Sequence, residues 1–257
     1  MKTSIHGHKY NWHPSLPDPR DQIMSLKKMG AVQLPPVVDL RPHMPHIYAQ
    51  GKLSSCTANA IGAAIEYEMM KQKQHSFTPS RLFIYYNERA MENDIPDDNG
   101  AVIRDGLKTV VKDGACSEDI WPYIPAKLRD KPHDICYSEA LKHQVLKYQR
   151  VNQTLSDLKT CLAAGYPIIF GISLFESFES DAVAATGIVN MPQAGEKDLG
   201  GHAILAVGYN DHDKRFIIRN SWGDKWGGQM AGHFTLPYDY VLSHSLADNF
   251  WAINLME

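Results

Sequence analysis

Long apolar runs are missing from this sequence. The longest stretch without formal charge, Thr160 to Phe175, is broken by Gly165, Pro167 and Gly171. It falls short of the roughly 20 residues that a membrane-spanning helix needs, so no membrane partner is expected. The N-terminus, MKTSIHGHKYNWHPSLPDPRDQ, has no apolar core of the kind a secretory leader carries. The expected location is therefore cytoplasmic, unless a leader was removed ahead of the sequence. An excess of positive charge is also missing. Lys and Arg number 26 against 29 Asp and Glu, for a net charge of −3, and this excludes the basic field of a nucleic-acid binder. No CxxC pair occurs among Cys56, Cys116, Cys136 and Cys161, so zinc-site spacing is absent. A chain this long needs no disulfides to complete a core, and reduced thiols are expected. Internal repeats and low-complexity tracts are absent too.

What remains is the composition of a globular protein, 44% hydrophobic and 21% charged. The first 36 residues are rich in Pro, His and charge and end in Leu34-Pro35-Pro36, a boundary signal. They read as an N-terminal extension ahead of one domain over 37–257. His6, His8 and His13 lie along this Pro-rich tail without a carboxylate cluster, and read as solvated rather than as metal ligands. No metal and no cofactor are expected.

Apolar spacings of three and four, through Ala60, Ala64 and Ile61, Ile65, Met69, predict a helix over Thr57–Lys73. Ser54 and Ser55 are candidate caps for it. Further helices are expected at Arg81–Met91, Ile103–Lys112 and Leu155–Ala164. The acidic stretch Glu92–Gly100 reads as a loop. Strands rich in Ile, Val and Phe are expected at Gln144–Val151, Pro167–Leu174, Ala203–Tyr209, Arg215–Arg219 and His233–Leu236. Helices first and strands second predict an α+β fold with two lobes, roughly 50–140 and 141–257, and a cleft between them is a natural ligand site.

Four residues in this frame can do chemistry together. Cys56 sits at the predicted start of a helix, where the dipole and free N–H groups are expected to lower its pKa. Gln50, six residues earlier, can donate to an oxyanion together with the Cys56 backbone N–H. His202 opens an apolar strand after Gly200-Gly201, and its near-neutral pKa suits acid/base work. Asn220 ends another strand and can fix the His202 tautomer, with Trp222 covering that bond. Taken singly, each has a plainer reading: a small buried cysteine, a turn, a structural histidine, a strand end.

Together these pieces resemble the papain family of cysteine peptidases. Gln50-Gly51-Lys52-Leu53-Ser54-Ser55-Cys56 matches the family's Gln-Gly-x-x-x-Ser-Cys spacing. Gly201-His202-Ala203 through Val207-Gly208-Tyr209 matches its histidine segment. Asn220-Ser221-Trp222-Gly223-Asp224-Lys225-Trp226-Gly227 matches its asparagine segment and is the most specific signal. Val38-Asp39-Leu40-Arg41 resembles the start of the mature enzyme, and Trp121-Pro122-Tyr123 a landmark between the lobes. Leu53 stands where the family usually has a disulfide cysteine, and Thr57 where it often has Trp. In this the chain is most similar to the simpler bacterial branch.

The resemblance implies a papain-like two-lobe fold, with a helical lobe carrying the Cys56 helix and a barrel-like β-rich lobe. It implies a thiol protease acting on peptide or protein substrates, with Cys56, His202, Asn220 and Gln50 as catalytic residues. A monomer is expected. Gly100, Ala101, Gly201 and Trp222 are the implied substrate-binding residues, although the paired-glycine segment is only partly visible in Asp98-Asn99-Gly100-Ala101. The extension is shorter than the family's usual pro-region. A small pro-segment crossing the cleft and a permanent wrap both stay open. So do two rival functions: acyl transfer to an amine on the same site, and a catalytically silent peptide-binding scaffold.

Overall fold

The structure, a computed structural model, describes residues 8–25 and 34–256. Its frame is a seven-stranded antiparallel sheet in the order β2-β7-β3-β4-β5-β6, with β1 paired to β4. The strands are β1 (Val37–Asp39), β2 (Val145–Arg150), β3 (Ile168–Phe175), β4 (Asp198–Asn210), β5 (Arg215–Arg219), β6 (His233–Pro237) and β7 (Ala247–Met256). Helices α1 (Cys56–Lys71), α2 (Arg81–Met91), α3 (Ile103–Lys112) and α4 (Asp134–Ala140) precede most of the sheet. Helices α5 (Leu155–Ala163), α6 (Asp181–Thr186) and α7 (Tyr238–Leu242) are set among the later strands. Among the described residues no helix is long and apolar enough to cross a membrane. The four cysteines are unpaired and buried.

The central strands are buried on both faces, which is why they read as apolar runs rather than as an alternation. Along β4, Ala203, Leu205 and Val207 join the core beneath α1, while Ile204 and Ala206 join the core on the other face. Helix α1 is buried almost all round, from Cys56 to Met69. A helix in that position needs apolar or small residues on every side, and its run of Ala and Ile supplies them. Trp251 and Ile253 of β7 pack against the same helix core.

Three sequence expectations are corrected here. Strand β4 begins at Asp198, not Ala203, so His202 lies within the strand rather than at its mouth. Strand β7, between β2 and β3 in the sheet, was not expected, because Asp248, Asn249 and Asn254 interrupt its apolar pattern. The serines before α1 do not cap it. Ser55 is the capping residue but makes no side-chain cap bond; its hydroxyl meets that of Tyr123 at 2.6 Å. Ser54 Oγ donates to the Asp98 carbonyl at 2.9 Å.

The first turn of α1 is anchored from below. Thr57 Oγ1 donates to Glu88 Oε2 of α2 at 2.7 Å. Burial pushes the Glu88 carboxyl well above the usual carboxylate range. Room for it comes from Gly106 of α3, where an added Cβ would lie 2.2 Å from Glu88 Oε1 and 2.5 Å from Ile61 Cδ1. Gly106→Ala should therefore destabilise the chain by about 1–3 kcal/mol through overpacking. Urea unfolding checks this, and an unchanged midpoint would mean that α2 and α3 can move apart freely.

Candidate active site

The N-terminus of α1 abuts β4, and this contact brings Cys56 beside the His202 segment. The backbone N–H groups of Ala203, Thr57 and Cys56 itself lie near the Cys56 sulfur and act to lower its pKa. On the neighbouring residue, His202 Nε2 lies 2.9 Å from Asn220 Oδ1. Since the Asn oxygen only accepts, Nε2 carries the proton, and the neutral ring leaves Nδ1 as a lone pair. Nδ1 has no hydrogen-bond partner. Asn220 is itself fixed: its N–H donates to the Gly232 carbonyl at 3.0 Å, and its Oδ1 also accepts from the Ser221 N–H at 2.8 Å. Trp222 lies 5.4 Å from the His202 ring, tilted by 34°.

Gln50 is fully buried and oriented at both ends of its amide. Its Oε1 accepts from Ser221 Oγ at 2.5 Å and its Nε2 donates to the Leu53 carbonyl at 2.9 Å. One Nε2 hydrogen remains for a further acceptor. Tyr48-Ala49-Gln50 and Ser221-Trp222-Gly223 are joined through the main chain. Gln50 N–H donates to the Ser221 carbonyl at 2.8 Å, and Gly223 N–H to the Tyr48 carbonyl at 2.9 Å. Tyr123 Oη adds a bond to the Gln50 carbonyl at 2.9 Å. Ser221 and Tyr123 were seen in the sequence only as parts of motifs. Their hydroxyl contacts join residues 171 and 73 positions apart, which no local pattern reveals.

Residues 8–13 lie over this site. His8 stacks on Trp222, centroids 4.2 Å apart and planes within 4°, so it is not simply solvated. Tyr10 stands edge-on to His202 at 6.1 Å. Trp12 N–H donates to the Gly201 carbonyl at 3.0 Å, and Asn11 forms a parallel bridge with Gly201. Lys9 pairs with Asp98 at 2.6 Å. His13 Nε2 lies 3.1 Å from the Asn99 carbonyl. Glycines make this approach possible: a Cβ at Gly201 would lie 2.2 Å from the Trp12 carbonyl oxygen, and one at Gly100 1.9 Å from that of Asn11. Gly100, Gly201 and Trp222 thus all meet the segment. Ala101 does not share this position, being fully buried in the core with Ile103 and Leu107. His6 lies outside the described residues. The sequence signal for the segment was present, two aromatic residues in an otherwise polar tail.

Covering the site reverses the pKa expected for Cys56. Burial pushes the thiol up to about 12, outweighing the three N–H donors, and Glu88 adds to the rise. Burial likewise pulls His202 down to about 4, against the opposing effect of the Asn220 bond. The pair is therefore neutral thiol and neutral imidazole while the segment is seated. The helix terminus alone does not ionise a sulfur that water cannot reach.

The family model described as papain family cysteine protease matches residues 34–242. An uncharacterized peptidase C1-like protein of Acanthamoeba polyphaga mimivirus is 43% identical, over 98% of this chain and 89% of that protein. The crystal structure of xylellain, a cysteine protease from Xylella fastidiosa, superposes with a TM-score of 0.90 at 40% identity, covering 98% of this chain and 97% of that one. Digestive procathepsin L2 of Tenebrio molitor, at 18% identity and a TM-score of 0.76, shares the fold.

Two outcomes follow from the covered pair. In the full chain, Tyr10→Ala with Trp12→Ala should let water reach both groups and raise the rate of Cys56 alkylation at pH 7 by at least ~100-fold, since each pKa unit changes the thiolate fraction tenfold. An unchanged rate would mean that the segment does not control access. Acid should open the intact site. With His202 held at about 4 when covered, the uncovered state binds more protons below about pH 6.5 and gains on acidification, by roughly 3 kcal/mol once the pH is below 4. Amide exchange over residues 8–13, corrected for its intrinsic pH dependence, should accelerate from pH 7 to 4. Slower exchange would contradict the assignment.

Proposed function

The chain belongs to the papain family of cysteine proteases, and from that membership we propose that Cys56 and His202 hydrolyse peptide bonds once residues 8–13 leave the cleft. The chain is a papain-like cysteine peptidase, and its substrates are peptides or proteins. The observation that carries the assignment of roles is the packing of Cys56 in one core cluster with Ala203, next to a His202 ring whose Nε2 is held by Asn220.

In the open cleft the thiol proton moves to His202 Nδ1, giving a thiolate and an imidazolium. The thiolate attacks the carbonyl carbon of the scissile bond. The oxyanion takes hydrogen bonds from the Cys56 N–H and the remaining Gln50 Nε2 hydrogen. Collapse of this intermediate breaks the C–N bond, and His202 Nδ1 returns the proton to the leaving amine. A thioester to Cys56 remains. His202 then takes a proton from water, the resulting hydroxide attacks the thioester, and the acid leaves as the thiol is restored. Asn220 keeps the ring in one tautomer throughout, and Trp222 shields their bond from water, which strengthens it.

The extension over residues 1–36 is proposed as a pro-segment and 37–257 as the peptidase domain, with the helical lobe over 50–140 and the β-rich lobe over 141–257. The main-chain bond from Trp12 to Gly201 and the stacking of His8 on Trp222 support this, because both occupy positions a substrate would need.

Cys56→Ala should abolish peptide hydrolysis, and retained turnover in that variant would end the mechanism. Gln50→Ala should lower kcat by about 100- to 1000-fold, the usual effect of losing one oxyanion donor. Asn220→Ala should weaken turnover less than Cys56→Ala does. Steady-state kinetics on a fluorogenic peptide, with Cys56 alkylation as a check on the open site, measures all three.

A further inference from the structure

Beside the reacting pair is a buried carboxylate that the mechanism above does not use. Glu179 ends the 3-10 turn Glu176–Glu179 and is only 4% exposed. Its carboxylate accepts a hydrogen bond from the Tyr10 hydroxyl. The Tyr10 ring lies against His202 and 6.0 Å from Trp222. Phe178, next to Glu179, stands edge-on to Trp222 at 5.3 Å and stacks on Trp226 at 5.6 Å. The side chain of Tyr10 thus fills a space with aromatic walls and an anion at its end.

This space belongs to the folded body and not to the segment. The Ser177 N–H donates to Glu196 Oε1 at 2.6 Å, the Glu176 N–H donates to the Lys197 carbonyl at 3.0 Å, and Phe178 is anchored among Trp222, Trp226 and Phe234. These bonds hold the turn independently of residues 8–13. A peptide that replaces the segment meets the same walls and the same carboxylate.

We propose that Glu179 is a specificity-determining residue, selecting peptides that place a tyrosine side chain in this subsite. The assignment rests on the peptidase reading for its substrate class. Tyrosine matches the site twice, by a flat apolar ring against the walls and by a hydroxyl that donates to the carboxylate. Phenylalanine fills the same volume but covers a charge without bonding to it. A site built around a buried hydrogen-bonding group discriminates against an analogue that cannot make that bond. Acidic side chains meet like charge, and short aliphatic ones do not reach it.

The test uses the full chain carrying Tyr10→Ala and Trp12→Ala, or Tyr10→Ala alone where thermal unfolding shows the double substitution to be unstable. The hexapeptide His-Lys-Tyr-Asn-Trp-His and its Phe counterpart are compared by the concentration at which each protects Cys56 from alkylation, a measurement that needs no turnover. The Tyr peptide should protect at about 10- to 100-fold lower concentration, the range for one hydrogen bond to a charged acceptor. Glu179→Gln should narrow the difference. Glu179→Leu should invert it in favour of Phe, which loss of packing alone would not do. Equal protection by the two peptides overturns the proposal, and so does a Tyr preference that survives Glu179→Leu. Hydrolysis of the peptides is read separately: protection with the expected Tyr preference but no cleavage of any peptide would count against the peptidase reading and leave the subsite standing.

Discussion

The packing of the first turn of α1 against β4 is the contact on which the site depends. It brings the backbone N–H of Ala203 near the Cys56 sulfur and so fixes Cys56 beside the His202 segment, the arrangement that the proposed proton exchange requires. Neither element can shift without breaking a core. The helix is buried on nearly every side, and β4 is held between β3 and β5 with both faces covered. Close-packed interiors transmit displacement rather than absorb it, so the precision of the site comes from its surroundings. The buried Glu88 below Thr57 is part of the same anchoring.

A second set of bonds joins the chain before α1 to the loop after β5. The backbone pairing of Tyr48–Gln50 with Ser221–Gly223 puts Gln50, Asn220 and Trp222 on one rigid strip. Arg219 extends that strip by donating to the carbonyls of Pro45 and His46 from a buried position. Burial lowers its pKa to about 10, which still leaves the guanidinium charged at neutral pH. Gln50, proposed as oxyanion donor, and Asn220, which bonds His202, are therefore positioned by one structural unit.

Water access governs the charge state of Cys56 and His202. With His8, Tyr10 and Trp12 seated, desolvation outweighs the N–H donors at the helix terminus, and the pair stays neutral. The same aromatic residues that exclude water fit spaces in the folded body: Trp12 packs where Gly171 leaves room, since a Cβ there would lie 2.1 Å from its ring.

Much of this was legible in the sequence. The helices at Arg81–Met91 and Ile103–Lys112 and the strand at Arg215–Arg219 have the bounds their patterns predict, because amphipathic period and turn residues are local properties. The spacing of Cys56, His202 and Asn220 within their motifs pointed to the papain family for a similar reason: each motif is a short segment whose residue types suit one local geometry. Strand β7 was not legible, because burial between β2 and β3 stabilises it despite its polar residues. The ionisation of Cys56 was misjudged, since the helix terminus is written in sequence while solvent exclusion by a segment some 45 residues away is not. Gln50 with Ser221, and Tyr10 with Glu179, are pairings across 171 and 169 positions. The order of residues settles which groups are available for chemistry; folding settles which of them meet and whether water reaches them, because hydrogen bonding and desolvation depend on distance in space and not on separation along the chain.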